Sequence, residues 1–214
     1  MTDEMMFIII LIVGFCTLVA LMMRHGDYDE QRILAPGIYR VGVEIRPGRC
    51  DLVAESGGGS FAIKSKQANA WNLGNPIGAT SGGQPSRFRN VTLNQGDILE
   101  INGNVRVMLA PPIPILDIKE ETLGPGIYRF GVDVPAAKYD FETVSGTGEI
   151  IRVAIPNNQY DLYLDMADGH PQRLKTFDNV LCSRRYEIWI NGSLQVKLKR
   201  SKHQPLFTLF QEDA

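Results

Sequence analysis

Residues able to do chemistry are few and scattered in this 214-residue chain. The histidines, His25, His170 and His203, lie outside metal-ligand spacing of one another and of any cysteine, so no metal site is legible. A catalytic triad needs a nucleophile and an acid converging on one imidazole. Ser201 lies near His203, but in a charged tail without the strand–turn–helix setting of an activated nucleophile. The run Gly57-Gly58-Gly59-Ser60 lacks the Gly-Lys-Ser/Thr ending and the following helix that a phosphate loop requires. It reads as a turn between strands, and Gly146-Thr147-Gly148 stands at the equivalent place. The expectation is a chain that is not an enzyme and holds no cofactor.

Residues suited to binding are easier to find. Trp71 and Tyr160 fall at equivalent positions of an internal repeat, where aromatic rings either stack on sugars or pack in a core. Trp189 stands between Ile188 and Ile190, two residues expected to face inward, so its indole is expected to face outward. The matching residue of the first copy is Glu100. An outward indole in one copy alone points to contact with a partner, contact with the other unit, or cover by a loop. Lys197, Lys199, Arg200, Lys202 and His203 form a basic run. Such a run meets anionic headgroups, at about 1 kcal/mol per residue near a membrane surface, or guards a sheet edge. Behind it Pro205-Leu206-Phe207-Thr208-Leu209-Phe210 is apolar, and Phe207 and Phe210 are docking candidates. Asn90-Val91-Thr92 and Asn191-Gly192-Ser193 match the glycosylation sequon, a pattern that often arises by chance.

The elements that must position these residues are set by self-similarity. Leu34-Ala35-Pro36-Gly37-Ile38-Tyr39-Arg40 recurs as Leu123-Gly124-Pro125-Gly126-Ile127-Tyr128-Arg129, an offset of 89 residues. The same offset relates Phe88-Arg89-Asn90-Val91 to Phe177-Asp178-Asn179-Val180, and Ile101-Asn102-Gly103 to Ile190-Asn191-Gly192. Matches at both ends of a unit define two copies of one fold. Each copy alternates β-branched or aromatic residues with others, behind Pro-Gly turn signals and without a helical period. The predicted class is all-β, with two tandem small β-sandwich-like domains after one N-terminal transmembrane helix. The expected boundaries are residues 33–110 and 122–200, with a juxtamembrane linker at 25–32, a proline-rich linker at 111–121 and a tail at 201–214. Leu99, Ile101, Val105, Val107 and Leu109, and likewise Ile188, Ile190, Leu194, Val196 and Leu198, are expected to face the core. Pairing Ile190 with Leu194 predicts a hairpin with a three-residue loop, Asn191 to Ser193, and the first copy predicts the same. Because each unit is small, the two are expected to dock on one another.

The first 24 residues are of another kind. From Met5 to Met23 there is no charged residue, long enough for a helix to cross a bilayer. The acidic start Met1-Thr2-Asp3-Glu4 and the absence of a small-residue exit argue against a cleaved signal peptide. An uncleaved single-pass anchor in the cell (inner or plasma) membrane is therefore expected. Arg24 and Arg32 follow the span and none precedes it, which places the β-units on the cytoplasmic side. The net charge of −2 supplies no basic field for nucleic acid. Cys50 and Cys182 occupy non-equivalent positions of the repeat, so they form one bridge between units or stay as two buried thiols.

Pro36 to Cys50, and more closely Gly126-Ile127-Tyr128-Arg129-Phe130-Gly131-Val132-Asp133-Val134-Pro135-Ala136-Ala137-Lys138-Tyr139, resemble the G-x-Y-x-V-G-x-D-I-P-A-G-x-Y repeat of bacterial surface and lipoprotein β-domains. The resemblance covers about fifteen residues at the head of each unit. It implies a small β-sandwich-like fold, a bacterial source and an extracytoplasmic setting, opposite to the side indicated by the arginines. It carries no catalytic residues. The functional expectation is a non-catalytic, membrane-anchored accessory subunit that contacts the bilayer and integral membrane proteins. The alternative is a surface module that binds glycan or cell-wall polymer.

Overall fold

The computed structural model describes residues 31–66, 72–79, 83–112, 122–155 and 159–202. The expected anchor, most of the linker at 111–121, and Trp71, Phe207 and Phe210 lie outside these. Among the described residues there is no helix, and hence none long and apolar enough to cross a membrane.

The first unit contains β1 (Arg32–Leu34), β2 (Gly37–Arg40), β3 (Gly48–Ser56), β4 (Gly58–Lys64), β5 (Leu73–Gly78), β6 (Arg87–Leu93), β7 (Ile98–Gly103) and β8 (Arg106–Ala110). The second repeats them as β9 (Thr122–Leu123), β10 (Gly126–Arg129), β11 (Ala137–Ser145), β12 (Thr147–Ala154), β13 (Gln159–Ala167), β14 (Thr176–Cys182), β15 (Tyr186–Ile190) and β16 (Gln195–Arg200). The strand order β1-β8-β3-β6 and β2-β7-β4-β5 recurs as β9-β16-β11-β14 and β10-β15-β12-β13. First pairs with last, second with seventh, third with sixth and fourth with fifth, all antiparallel. Each unit is therefore a jelly roll, a long hairpin rolled into two facing sheets.

This connectivity corrects the expected closing hairpin. β15 pairs with β10 and β12, whereas β16 pairs with β11 and β9. The Asn191–Ser193 segment thus carries the chain from one sheet to the other, as Asn104 and its neighbours do in the first unit. Ile188, Ile190, Leu194, Val196 and Leu198 are all buried, as are Leu99, Ile101, Val105, Val107 and Leu109. In a sandwich both inner faces share one core, so alternation reports which way a side chain points but not which sheet it belongs to.

Two cores result. Phe61 of β4 meets Phe88 of β6 edge to face across the first, with ring centroids 5.1 Å apart. In the second, Phe130 stacks on Tyr139 at 6.1 Å. Cys50 lies in the first core and Cys182 in the second, and both are free thiols. Burial raises both; Cys182 is pushed up to about 12. The motif at the head of each unit has a local purpose. Tyr39 Oη donates to Ala35 O at 2.7 Å and Tyr128 Oη to Gly124 O at 2.8 Å, which holds the entry turns. Glu44 Oε2 accepts from Arg40 N at 2.7 Å and Asp133 Oδ2 from Arg129 N at 2.8 Å, which closes the turns after β2 and β10.

A second shared device lies mid-strand. Asn90 and Asn179 have φ of 59° and 63°, and their N–H groups donate to Asp51 and Asp140 at 2.8 Å. The extra residue bends β6 and β14 where their pairing with β3 and β11 shifts register. It also leaves Asn90 buried, so its sequon is inaccessible in the folded chain.

Left-handed backbone costs a β-branched residue about 1–2 kcal/mol, while glycine adopts it freely. Asn90→Val is therefore expected to lower the urea midpoint, and Asn90→Gly to leave it nearly unchanged. Because the neutral thiol is unreactive, iodoacetamide at mildly alkaline pH is expected to spare Cys50 and Cys182 in the folded chain. In denaturing urea it should label both, as read by peptide mass.

Candidate binding surface

The two units meet along their sheet edges. β10 pairs in parallel with β6 through Gly126 and Arg89, and Arg89 N donates to Pro125 O at 2.9 Å. The β1-β8-β3-β6 sheet thereby continues into the β10-β15-β12-β13 sheet as one eight-stranded sheet. The approach is close. A Cβ on Gly126 would lie 2.8 Å from the Arg89 carbonyl oxygen and Cβ, so only glycine fits there. Arg49 forms an ion pair with Asp133 across the junction. Asn75 donates through Nδ2 to Asn191 Oδ1 at 3.1 Å, and its Oδ1 accepts from Gly192 N at 2.9 Å. Tyr128 is buried against the junction, where desolvation raises its phenol and the Arg89 guanidinium opposes that rise.

Continuity of the sheet has a consequence for faces. The side of the sheet that lines the first core becomes, beyond β6, the outer face of the second unit. On that face the strands align Ile127, Trp189, Ile151 and Tyr163 in one row. Arg129, Glu187, Val153 and Tyr160 form the next. Ile127 and Trp189 are partly buried and pack against the first core. Trp189 thus contacts the other unit, the second of the three roles its position allowed.

The Trp189 indole separates two depressions. On the first-unit side, a cavity of about 170 Å³ is lined by Ile63, Leu73, Asp97, Ile127 and Glu187 among others. On the far side, a groove of about 290 Å³ is lined by Ile151, Val153, Tyr160, Tyr163 and Trp189. The indole is pinned between them: Nε1 donates to Glu187 Oε1 at 2.7 Å, while Glu187 Oε2 accepts from Arg129 Nε at 3.2 Å. Charges around the groove are matched with one another. Arg173 lies 3.2 Å from Asp165 and Tyr163 Oη donates to Glu149 Oε1 at 2.5 Å, while Arg152, on the core-facing side of β12, holds Asp161 at 2.8 Å.

Of the residues singled out in the sequence, Tyr160 and Trp189 line the same groove. Tyr160 is 53% exposed, which excludes the core-packing reading for it. Lys199 and Arg200 lie elsewhere, at the end of β16 beyond the two residues that β9 covers. Lys199 pairs with Glu142 on β11 and holds its carboxyl below the usual range, and Arg200 lies against Tyr139. Tyr163, Ile151 and the Arg129–Glu187 pair were not singled out. The repeat offset does contain the signal: Ile127, Trp189, Ile151 and Tyr163 stand where the first unit has Ile38, Glu100, Ala62 and Gly74. One copy has grown aromatic on a face where the other stayed small and polar.

Among the described residues no cluster of His, Cys, Asp and Glu could hold a metal ion. His170 is exposed and Ser201 is buried. Comparison with protein-family models, with curated proteins and with solved structures finds no match to the chain.

Trp189→Ala would open the cavity and the groove into each other and leave Glu187 without its indole partner. Truncating a half-buried indole is expected to cost about 2–3 kcal/mol, below the range for a full-core Trp. Urea unfolding of the full chain in mild detergent measures it, with Tyr163→Ala as a surface control expected to change stability little.

Proposed function

We propose that the protein is a non-catalytic accessory subunit, anchored by its N-terminal apolar segment, that binds an integral membrane protein through the aromatic groove of its second unit. The observation that carries this reading is the chemistry of the groove. Its lining is Trp, two Tyr and two aliphatic side chains, and the charges on the same face, Arg129 with Glu187 and Arg173 with Asp165, are paired among themselves. Aromatic residues in a partly desolvated depression are the usual anchors of protein–protein contacts. A sugar ring also stacks on aromatic faces, but its hydroxyls need polar partners when they leave water. Here the nearby polar groups are engaged with one another, which favours an apolar segment of a protein over a glycan. The apolar run at 5–23 supports the membrane setting, and the short head motif supports a bacterial source.

The test is retention of partners after mild solubilisation of native membranes. The wild-type chain is compared with a Tyr160→Ser/Tyr163→Ser double variant, both residues being 53% exposed and remote from the cores. A membrane protein held by the wild type and released by the variant supports the subunit reading. Binding to purified wall polymer that the same variant loses, with no membrane protein retained by either chain, replaces it with the glycan reading.

A further inference from the structure

The junction between the units uses one edge from each: β6 from the first and β10 from the second. Because the units are copies, each also carries the other half of that contact. The counterpart of β10 is β2, and the counterpart of β6 is β14. Both are outermost in their sheets, and among the described residues no strand pairs with their outer sides. We propose that a second copy of the chain supplies the missing half. Chains then associate head to tail, β2 of one against β14 of the next, in the geometry that joins the two units internally.

Burial shows which surfaces are missing their cover. At the internal junction Pro125, Gly126 and Tyr128 are buried; their counterparts Pro36, Gly37 and Tyr39 are exposed or only partly buried. Ile127 packs on the first core, whereas Ile38 is 71% exposed. On the opposite edge Phe88 is fully buried, but its counterpart Phe177 is only partly so, and Leu181, at the place of Thr92, is 50% exposed. An edge strand with such an apolar flank invites another chain.

The pairing chemistry is kept as well. Asp133 and Arg49 form the internal ion pair, and at the free edges Glu44 and Lys138 stand in their places with the same signs. Glu44 is held as Asp133 is, with one carboxylate oxygen accepting from the backbone of its own turn. Trp189 and Ile63 line the internal cavity together. Their counterparts are Glu100 and Arg152, opposite charges that each also have a partner in their own unit, Lys64 and Asp161. Gly37 adds a separate point. Within its own chain a Cβ there would meet only the Tyr39 ring, at 3.4 Å or more, an ordinary contact. The edge nonetheless presents glycine, which a strand approaching as β6 approaches Gly126 requires. One feature is lost: Leu164 replaces Asn75, so the bonds to the Asn-Gly turn have no equivalent. The contact between chains is accordingly weaker than the one within them. Being heterologous, it closes into a ring or runs on as a filament.

The test uses the full chain in mild detergent and measures its mass by light scattering over a range of concentrations. Gly37→Val blocks the β2 edge, with Ile38→Arg as a second variant of that edge; Lys138→Glu/Leu181→Asp blocks the β14 edge. The wild type is expected to grow in mass with concentration, and each variant to lose every species above a single chain. Mixing the two blocked chains is the decisive step, because each retains one good edge and those edges are complementary. The mixture should form a species of two chains and nothing larger, which misfolded variants cannot do. A wild type that stays a single chain at every concentration overturns the proposal, as do oligomers that persist in both variants.

Discussion

Everything in the arrangement of this molecule depends on the edge pairing at Gly126. A jelly roll leaves a bare strand at each sheet margin, and a bare margin carries unpaired backbone N–H and C=O groups. Joining β6 to β10 removes two margins at once and fixes the relation between the units. Because Gly126 has no side chain, the strands come close enough for Arg89 N to donate to Pro125 O. That approach lays the outer face of one unit against the open flank of the other. Ile127 and Trp189 are carried onto the first core by the continuity of the sheet, each worth about 1.5–3 kcal/mol if fully buried. The groove follows from the same fact: half of an apolar row is covered by the neighbouring unit, and the half carrying Ile151 and Tyr163 faces solvent.

The framework was legible in the sequence because a constant offset multiplies weak signals. Period-two alternation in one short segment is ambiguous, but the same alternation 89 residues later in a chain with matching turns is not. Inward residues could be named from that pattern, and they are inward. Their pairing could not. Ile190 and Leu194 point into one core from opposite sheets, and nothing local distinguishes that from two arms of a hairpin. The relevant information is nonlocal, residing in which strands the rolled hairpin brings side by side.

Site residues divide along the same line. The direction of Trp189 could be read because its neighbours are aliphatic, and its match to Glu100 marked it as a change from the other copy. The meeting of Tyr160 with Trp189 could not be read, since β13 reaches β15 only through β12. Tyr163 on its own carries no such signal. Weighed in fours across the sheet, the substitution of Glu, Ala and Gly by Trp, Ile and Tyr at consecutive strand positions is a stronger sign than any one of them.

Divergence between the copies also explains how the chain selects the right edge. Undiverged units would let β2 compete with β10 for β6, and tethering through residues 111–121 would only bias the outcome. Two changes oppose the wrong choice. Glu100 in the place of Trp189 would set a carboxylate, held by Lys64 in its own unit, against Ile63 and Leu73, at the cost of desolvating a charged group. It would also leave the first core without its indole cover. Ile98 in the place of Glu187 would leave Arg40 without the carboxylate that holds Arg129. Against β14 the same Glu100 would face the charged Arg152, itself held by Asp161, in place of the apolar Ile63. Specificity here is a difference between two pairings, and divergence at Glu100 and Ile98 on β7 and at Arg152 on β12 bears on both of them.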